Sequence, residues 1–348
     1  MKMTFRWYGE TDSIPLRHIR QIPNMSGVVI TLPDIPVGEV WELDRLLQLK
    51  KTCNENGLDM DVLESLPVHE DIKLGKPTRD ALIENYKKSL INLGKAGVKV
   101  VCYNFMPVFD WLRTDFKTEL EDGSNASSYT HAKLLSLDKT SLHLPGWEES
   151  YSVDELHTLL DEYSKVSHDQ LFENLVYFLN AVMPACEEAD INLAVHPDDP
   201  PWDMFSLPRI ITCKESYERL FNAVPNKHNG MVLCTGALGA GRRNNLPEIA
   251  ARFTDRIFFC HIRQLLLKND YDFIESGHMT NKGNLDIYQI VRQLVLHGFK
   301  GYVRPDHGRN IWDEDGKPGY GLFDRALGAC YLHGLFEAIS KDNNIKCE

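Results

Sequence analysis

The feature that most restricts what this chain can become is an alternation, repeated eight times, of a short apolar run with a longer stretch of helical periodicity. MTFRWYG precedes a short helical stretch around Leu16 to Gln21, and GVVITL precedes Glu39 to Asn56, where Leu43, Leu46, Leu47 and Leu49 suit a helix face. LDMDVLES leads to Asp80–Ala96, and VKVVCYNF leads, after a long polar excursion, to His168–Ala189. INLAVHP precedes Lys214–Ala223, and GMVLC precedes a short helix from Leu246. RIFFCHI precedes, after a second excursion, Asp286–His297, and GYVRPD leads to a last helix from about Leu322 to Ile339. Strands that alternate with helices pair in parallel, and eight such units predict closure into a (β/α)8 TIM barrel rather than an open sheet. Gly57, Gly97 and Gly298 follow helices where a left-handed C-cap is wanted. The expectation is one catalytic domain over residues 1–348, with long insertions after strands 4 and 7 near 105–165 and 262–284. Connections of that length at the catalytic end of a barrel are commonly lids or substrate loops; surface decoration is the plainer alternative.

Composition narrows the class further. With 43% hydrophobic residues the chain can bury a sizeable core, and its apolar runs fall short of the roughly 18 residues needed to cross a bilayer. MKMTFRWYGETDS has no apolar signal core, so export is not expected. Eight cysteines without a close regular framework read as mostly free thiols of a reducing compartment, the cytoplasm. A formal charge of −12 argues against nucleic acid as a partner, because such binding needs clustered Lys and Arg. A small anionic substrate and a homo-oligomeric assembly both remain open.

Four potential metal ligands stand at the ends of four successive apolar runs: His196 in INLAVHP, Cys234 in GMVLC, His261 in RIFFCHI and Asp306 in GYVRPD. In a parallel barrel those ends meet at one mouth, so two imidazoles, a thiolate and a carboxylate would form a first shell for a divalent transition metal. Three of the four have a plainer reading. Asp198 and Asp199 beside His196 form turns readily, a lone cysteine is usually a buried hydrophobe, and His261 would serve as a satisfied core histidine. TGALGAG after Cys234 permits close backbone approach to a ligand, and Gly236, Gly239 and Gly241 with Arg242 and Arg243 resemble a phosphate cradle without matching a dinucleotide or P-loop spacing. A further polar set lies at the earlier strand ends: Glu64, Pro67 and His69, then Asn104, Trp111, Arg113 and Asp115. Arg113, and Arg263 two residues past His261, offer guanidinium forks for a carboxylate, and Trp111 would close one side of a pocket.

These segments carry a resemblance. RHIRQIP, DIPVGEVW, ESLPVHEDIKLGKP, VVCYNFMPVFDWLRTDF, HPDDPP with LPRIIT, LCTG, HIR, and RPDHG with PGY together resemble the D-mannonate dehydratase family, from near residue 7 to beyond 320. The resemblance implies a xylose-isomerase-like TIM barrel that uses Mn2+, or Fe2+ or Co2+, to dehydrate D-mannonate to 2-keto-3-deoxy-D-gluconate in hexuronate breakdown. It implies metal ligation by His196, Cys234, His261 and Asp306, and proton transfer by His307 and Tyr320. Asn104, Arg113, Arg263, His69 and His278 are the candidates for substrate binding, with His69 and His278 next in line as bases after His307. Ala237 and Gln264 depart from the family pattern, where a serine and an asparagine are common, and bear on substrate hydrogen bonding. The alternatives are a metal-dependent sugar isomerase or epimerase on the same barrel, and a non-catalytic sugar-acid binding protein.

Overall fold

A computed structural model describes residues 1–137 and 151–346. Eight parallel strands close a barrel: β1 (Lys2–Arg6), β2 (Gly27–Ile30), β3 (Asp59–Glu64), β4 (Val100–Tyr103), then, beyond the first excursion, β7 (Asn192–Val195), β8 (Asn229–Cys234), β9 (Ile257–Ile262) and β12 (Tyr302–Pro305). Each matches one of the eight apolar runs, and β1 joins both β2 and β12 to complete the ring. Between the strands lie α1 (Leu16–Arg20), α2 (Leu43–Glu55), α3 (Glu70–Lys73), α4 (Arg79–Lys95), α7 (His168–Ala189), α8 (Lys214–Ala223), α9 (Thr235–Ala240), α10 (Leu246–Arg252) and α11 (Ile287–Leu296), with α12 (Phe323–Asp342) last. The second helix starts at Leu43 rather than Glu39, because a turn at Pro36–Glu39 with Gly38 at φ +95 occupies the expected start. Gly57, Gly97 and Gly298 do take positive φ after their helices. Among the described residues no helix is long and apolar enough to cross a membrane.

The strands are buried on both faces, and their period of two sorts side chains between two cores. Val29, Val62, Val100, Cys102, Ala194, Val232, Cys234 and Phe259 fill the barrel interior, while Val28, Ile30, Leu63, Val101, Leu193, Leu233 and Cys260 face the helices. This alternation places the site. Glu64, Cys102, His196, Cys234, His261 and Asp306 stand two residues beyond Val62, Val100, Ala194, Val232, Phe259 and Arg304, and so continue the inward row at the C-terminal mouth.

The two excursions meet. The first holds β5 (Asp115–Glu119), β6 (Asn125–Tyr129), α5 (His131–Leu135) and α6 (Val153–Tyr163); part of the expected insertion, 138–150, lies outside the described residues. The second holds β10 (Gln264–Leu267) and β11 (Phe273–Ser276). β6 pairs antiparallel with β11, giving one four-stranded sheet in the order β10-β11-β6-β5. Tyr129 stacks on Phe273 across that seam at 5.6 Å, with Trp202 packed edge-on to Tyr129 at 5.5 Å.

Candidate metal centre and active site

A cavity of about 490 Å3 opens at the barrel mouth. His196 and Asp306 line it, and Cys234 and His261 stand behind them with no exposure at all. The ligand atoms of His196, Cys234 and His261 lie within 4.8 Å of one another, and Cys234 Sγ is 3.7 Å from Asp306 Oδ2. The ladder brings them together: Cys234 pairs with His261 in register, and the Asp306 amide continues β12 by donating to Ile262 O.

The donors suit a metal. His196 Nδ1 lies 2.7 Å from the Pro197 carbonyl, which can only accept, so Nδ1 carries the proton and Nε2 keeps its lone pair. His261 Nε2 is buried with no well-formed hydrogen bond, although Glu64 Oε2 is 3.2 Å away. Asp306 Oδ1 is likewise buried without one, although the Arg304 guanidinium stands 2.8 Å off. Burial lowers the pKa of His196, and burial followed by Arg304 lowers that of His261 to about 4, so both imidazoles are neutral as ligation requires. Burial opposes ionisation of Asp306, but Arg304, His307 and Arg263 outweigh it and hold the carboxyl well below the usual range. Burial pushes the Cys234 thiol up, so a bound cation would have to displace its proton. Glu64, Cys102 and His261 form a second set of donors with the same mutual spacing, but both Glu64 oxygens already accept from Arg304, at 3.1 and 3.0 Å.

Beside the metal donors runs a buried lattice of charges. Arg113 grips Asp199 through NH1 and NH2 at 2.9 and 3.1 Å, and Glu275 Oε1 through Nε and NH2 at 3.0 and 2.7 Å. Arg263 donates to Asp199 Oδ2 at 2.6 Å and reaches Asp306 Oδ2 at 3.3 Å. His307 closes the lattice, with Nδ1 2.8 Å from Glu275 Oε1 and Nε2 2.9 Å from the Tyr320 hydroxyl. Arg263 NH1 also lies 2.6 Å from Nδ1. An anionic carboxylate can only accept, so its charge favours Nδ1–H and leaves Nε2 to accept from Tyr320. Burial pushes the Tyr320 phenol well above its ordinary range, so it stays protonated.

The remaining residues singled out in the sequence fall in different places. Asn104, Arg263, His307 and Tyr320 line the cavity with His196 and Asp306, and Trp111 closes one side with its ring edge-on to His307 at 5.2 Å. Arg113 is fully buried outside the lining, its fork spent on Asp199 and Glu275. His69 caps α3, accepting from the Asp71 amide at 3.0 Å, and lines a neighbouring cavity of about 700 Å3. His278 lies behind the turn after β12, packed on Gly308 and Gly328 and 3.8 Å from Asp324. Asp198 tethers a distant segment, accepting from the Ile210 and Ile211 amides, whereas Asp199 belongs to the charge lattice. The glycine-rich stretch does allow a close approach, but to protein: a Cβ on Gly236 would collide with the Arg263 guanidinium. Neither departure from the family pattern lines the cavity. Ala237 is buried in α9, and Gln264 staples the chain before α11 through the Leu285 amide and carbonyl at 2.8 and 2.7 Å. Sequence reasoning missed Glu275, Arg6, Tyr8, Lys317 and Asp110; Arg6 had the inward strand-end position as its signal, and Glu275 had none.

A parallel barrel with imidazole, thiol and carboxylate donors converging at its C-terminal mouth defines a class, the (β/α)8 barrels equipped for a metal ion. Solved structures agree on the fold: a xylose isomerase-like TIM barrel protein from Mycobacterium smegmatis superposes with a TM-score of 0.53 at 13% identity, covering 93% of this chain and 87% of its own. The chain belongs to the D-mannonate dehydratase family, whose sequence model matches residues 1–346. It is 51% identical over 345 residues to the mannonate dehydratase of Oceanobacillus iheyensis, covering 99% of each. The crystal structure of the mannonate dehydratase of Streptococcus suis serotype 2 superposes with a TM-score of 0.94 at 43% identity, covering 100% of this chain and 97% of that one.

Proposed function

We propose that this protein dehydrates D-mannonate to 2-keto-3-deoxy-D-gluconate, holding a divalent cation, Mn2+ or the similar Fe2+ or Co2+, on His196, Cys234, His261 and Asp306. Family membership gives the reaction, and the observation that carries the site is His307 suspended between Glu275 and Tyr320 beside those donors. The C2 hydrogen of an aldonate is barely acidic, because its removal puts a second negative charge beside the carboxylate. When bound, the cation supplies the positive charge that offsets this. The rest is proton traffic. His307 Nε2 and the Tyr320 hydroxyl share one proton across 2.9 Å, so one of the pair takes the C2 proton and the other protonates the C3 hydroxyl as it leaves as water. The enol that results ketonises to the 2-keto-3-deoxy acid. Glu275 fixes the His307 ring, and Trp111 and Phe116, stacked at 5.3 Å, keep that side of the cavity apolar. Seven described cysteines, all unpaired, fit a reducing cytoplasm.

Incubation with D-mannonate and Mn2+ tests the reading. A 2-keto-3-deoxy acid is the expected product, and mannose and fructose, which lack a carboxylate, should not react. An interconverted sugar, or binding without product, would overturn it.

A further inference from the structure

Four cationic side chains line the cavity, and two of them are already committed. Arg304 forks onto Glu64 and reaches Asp306, and Arg263 is held by Asp199, Glu275 and Asp306, so buried carboxylates already neutralise both. Arg6 and Lys317 differ. Arg6 ends β1 on the inward row with Thr4, is only 7% exposed, and has one long hydrogen bond, NH1 to the Val29 carbonyl at 3.4 Å. It forms no ion pair among the described residues. A nearly buried guanidinium with one long hydrogen bond and no carboxylate partner keeps donor capacity for an acceptor in the cavity it lines. Lys317 approaches from the loop before α12, also without an ion-pair partner among the described residues. Both cations stand over one ring, Arg6 Cζ 4.5 Å and Lys317 Nζ 3.9 Å from the centroid of Tyr8. Burial depresses the Lys317 ammonium; Asp12 opposes the shift, and Arg6 adds a smaller push downward. Tyr8 in turn meets Tyr320 edge-on at 5.1 Å, so this doubly positive corner lies one aromatic ring from the proton relay.

The geometry points to Arg6 and Lys317, braced by Tyr8, as an anion subsite that reads a terminal carboxylate of an open-chain sugar acid. The planar fork of Arg6 matches a carboxylate, and Lys317 adds a mobile point charge at the rim. The sequence had assigned this task to Arg113 and Arg263, whose forks the structure commits to Asp199 and Glu275. Two sources would present the same chemistry: the C1 carboxylate of a hexonate, or the C6 carboxylate of a hexarate, a sugar diacid. The inference rests on the sugar-acid reading of the cavity and adds where the acid is recognised.

The test uses the metal-loaded protein and its Arg6→Gln and Lys317→Gln variants, with calorimetric titration of D-mannonate, D-mannarate and neutral D-mannitol beside steady-state turnover. Loss of a charge-assisted hydrogen bond predicts acid binding weaker by about tenfold or more for Arg6→Gln, with a smaller loss for exposed Lys317→Gln. KM should rise more than kcat falls, and mannitol should bind feebly and equally to all three proteins. If the corner reads C1, both acids lose affinity together; if it reads C6, only mannarate does. Both variants binding both acids like the wild type would overturn the subsite while leaving dehydration intact. A wild type that neither binds nor converts either acid would overturn the functional reading and the subsite with it. Should Arg6→Gln not fold, the surface variant Lys317→Gln decides alone.

Discussion

Replacing Glu275 with Gln keeps the shape of the side chain and removes its charge. The carboxylate has no exposure, and its Oε1 atom takes Arg113 at 3.0 and 2.7 Å and His307 at 2.8 Å. Burial pushes the carboxyl pKa up, yet His307, Arg113 and Arg263 bring it down from 4.5 to about 2. At roughly 1.4 kcal/mol per pH unit, that difference is worth about 3 kcal/mol of folding stability in neutral solution. The figure sits at the low end of the 3–5 kcal/mol typical of breaking a buried ion pair by removing one partner. Its sign fixes the pH dependence. A carboxyl whose pKa is depressed in the folded state contributes fully above its unfolded value of 4.5, and the contribution drains away as pH falls towards 2. Urea unfolding of both proteins, followed by tryptophan fluorescence from pH 7 down to about 3, should therefore show a gap of about 3 kcal/mol that narrows below pH 4.5. A gap that stays constant with pH, or one under about 1 kcal/mol at neutrality, would refute the argument that Glu275 is held as a charge by this lattice.

Four further substitutions probe the site. Cys234→Ala should lose most metal on elemental analysis while keeping the circular dichroism of the wild type, since an interior mouth residue does not hold the barrel together; a full equivalent of tightly held Mn2+ would exclude the thiol as a ligand. His307→Asn should retain metal and mannonate yet lose at least ~10²-fold in turnover. Tyr320→Phe should do the same, with deuterium wash-in at C2 surviving only in whichever variant keeps the base; wild-type turnover by His307→Asn would send the search for the base elsewhere. Gly236→Ala should force Arg263 off Asp199 and His307, lowering the melting point by an overpacking cost of ~1–3 kcal/mol and turnover with it; an equally stable, fully active variant would show that Arg263 has room to move.

The barrel was legible because its signal is local. Each strand is an apolar run with its own turn and helix, and the inward row of candidate ligands follows from counting by twos along β7, β8, β9 and β12. The same counting reaches Glu64, already singled out at the end of its run, and Arg6, which the search for strand-end ligands passes over. Long-range pairing was not legible. Nothing near Phe273 announces that its strand will lie beside Tyr129, and without that register Glu275 is one more acid in a loop. Arginines mislead for a related reason. Arg113 and Arg263 look available in sequence, and only the fold shows that Asp199 and Glu275 have claimed both. The histidines at 69 and 278 are the mirror case, with chemistry-bearing rings used as a helix cap and as packing behind a turn.

Most mouth loops of a barrel hang from their own strands, so each is free to lengthen, shrink or be exchanged without reference to its neighbours. Two loops here have given up that independence. Backbone hydrogen bonds join β6 to β11, and the ion pair of Arg113 with Glu275 ties the same two excursions a second time. A one-residue slip in either would turn the paired faces over and carry Glu275 away from His307. They can be inherited or transplanted only as a matched set. Piecemeal change of substrate preference is therefore confined to walls that stand clear of the sheet, and the end of β1, with Arg6 and Tyr8, is such a wall.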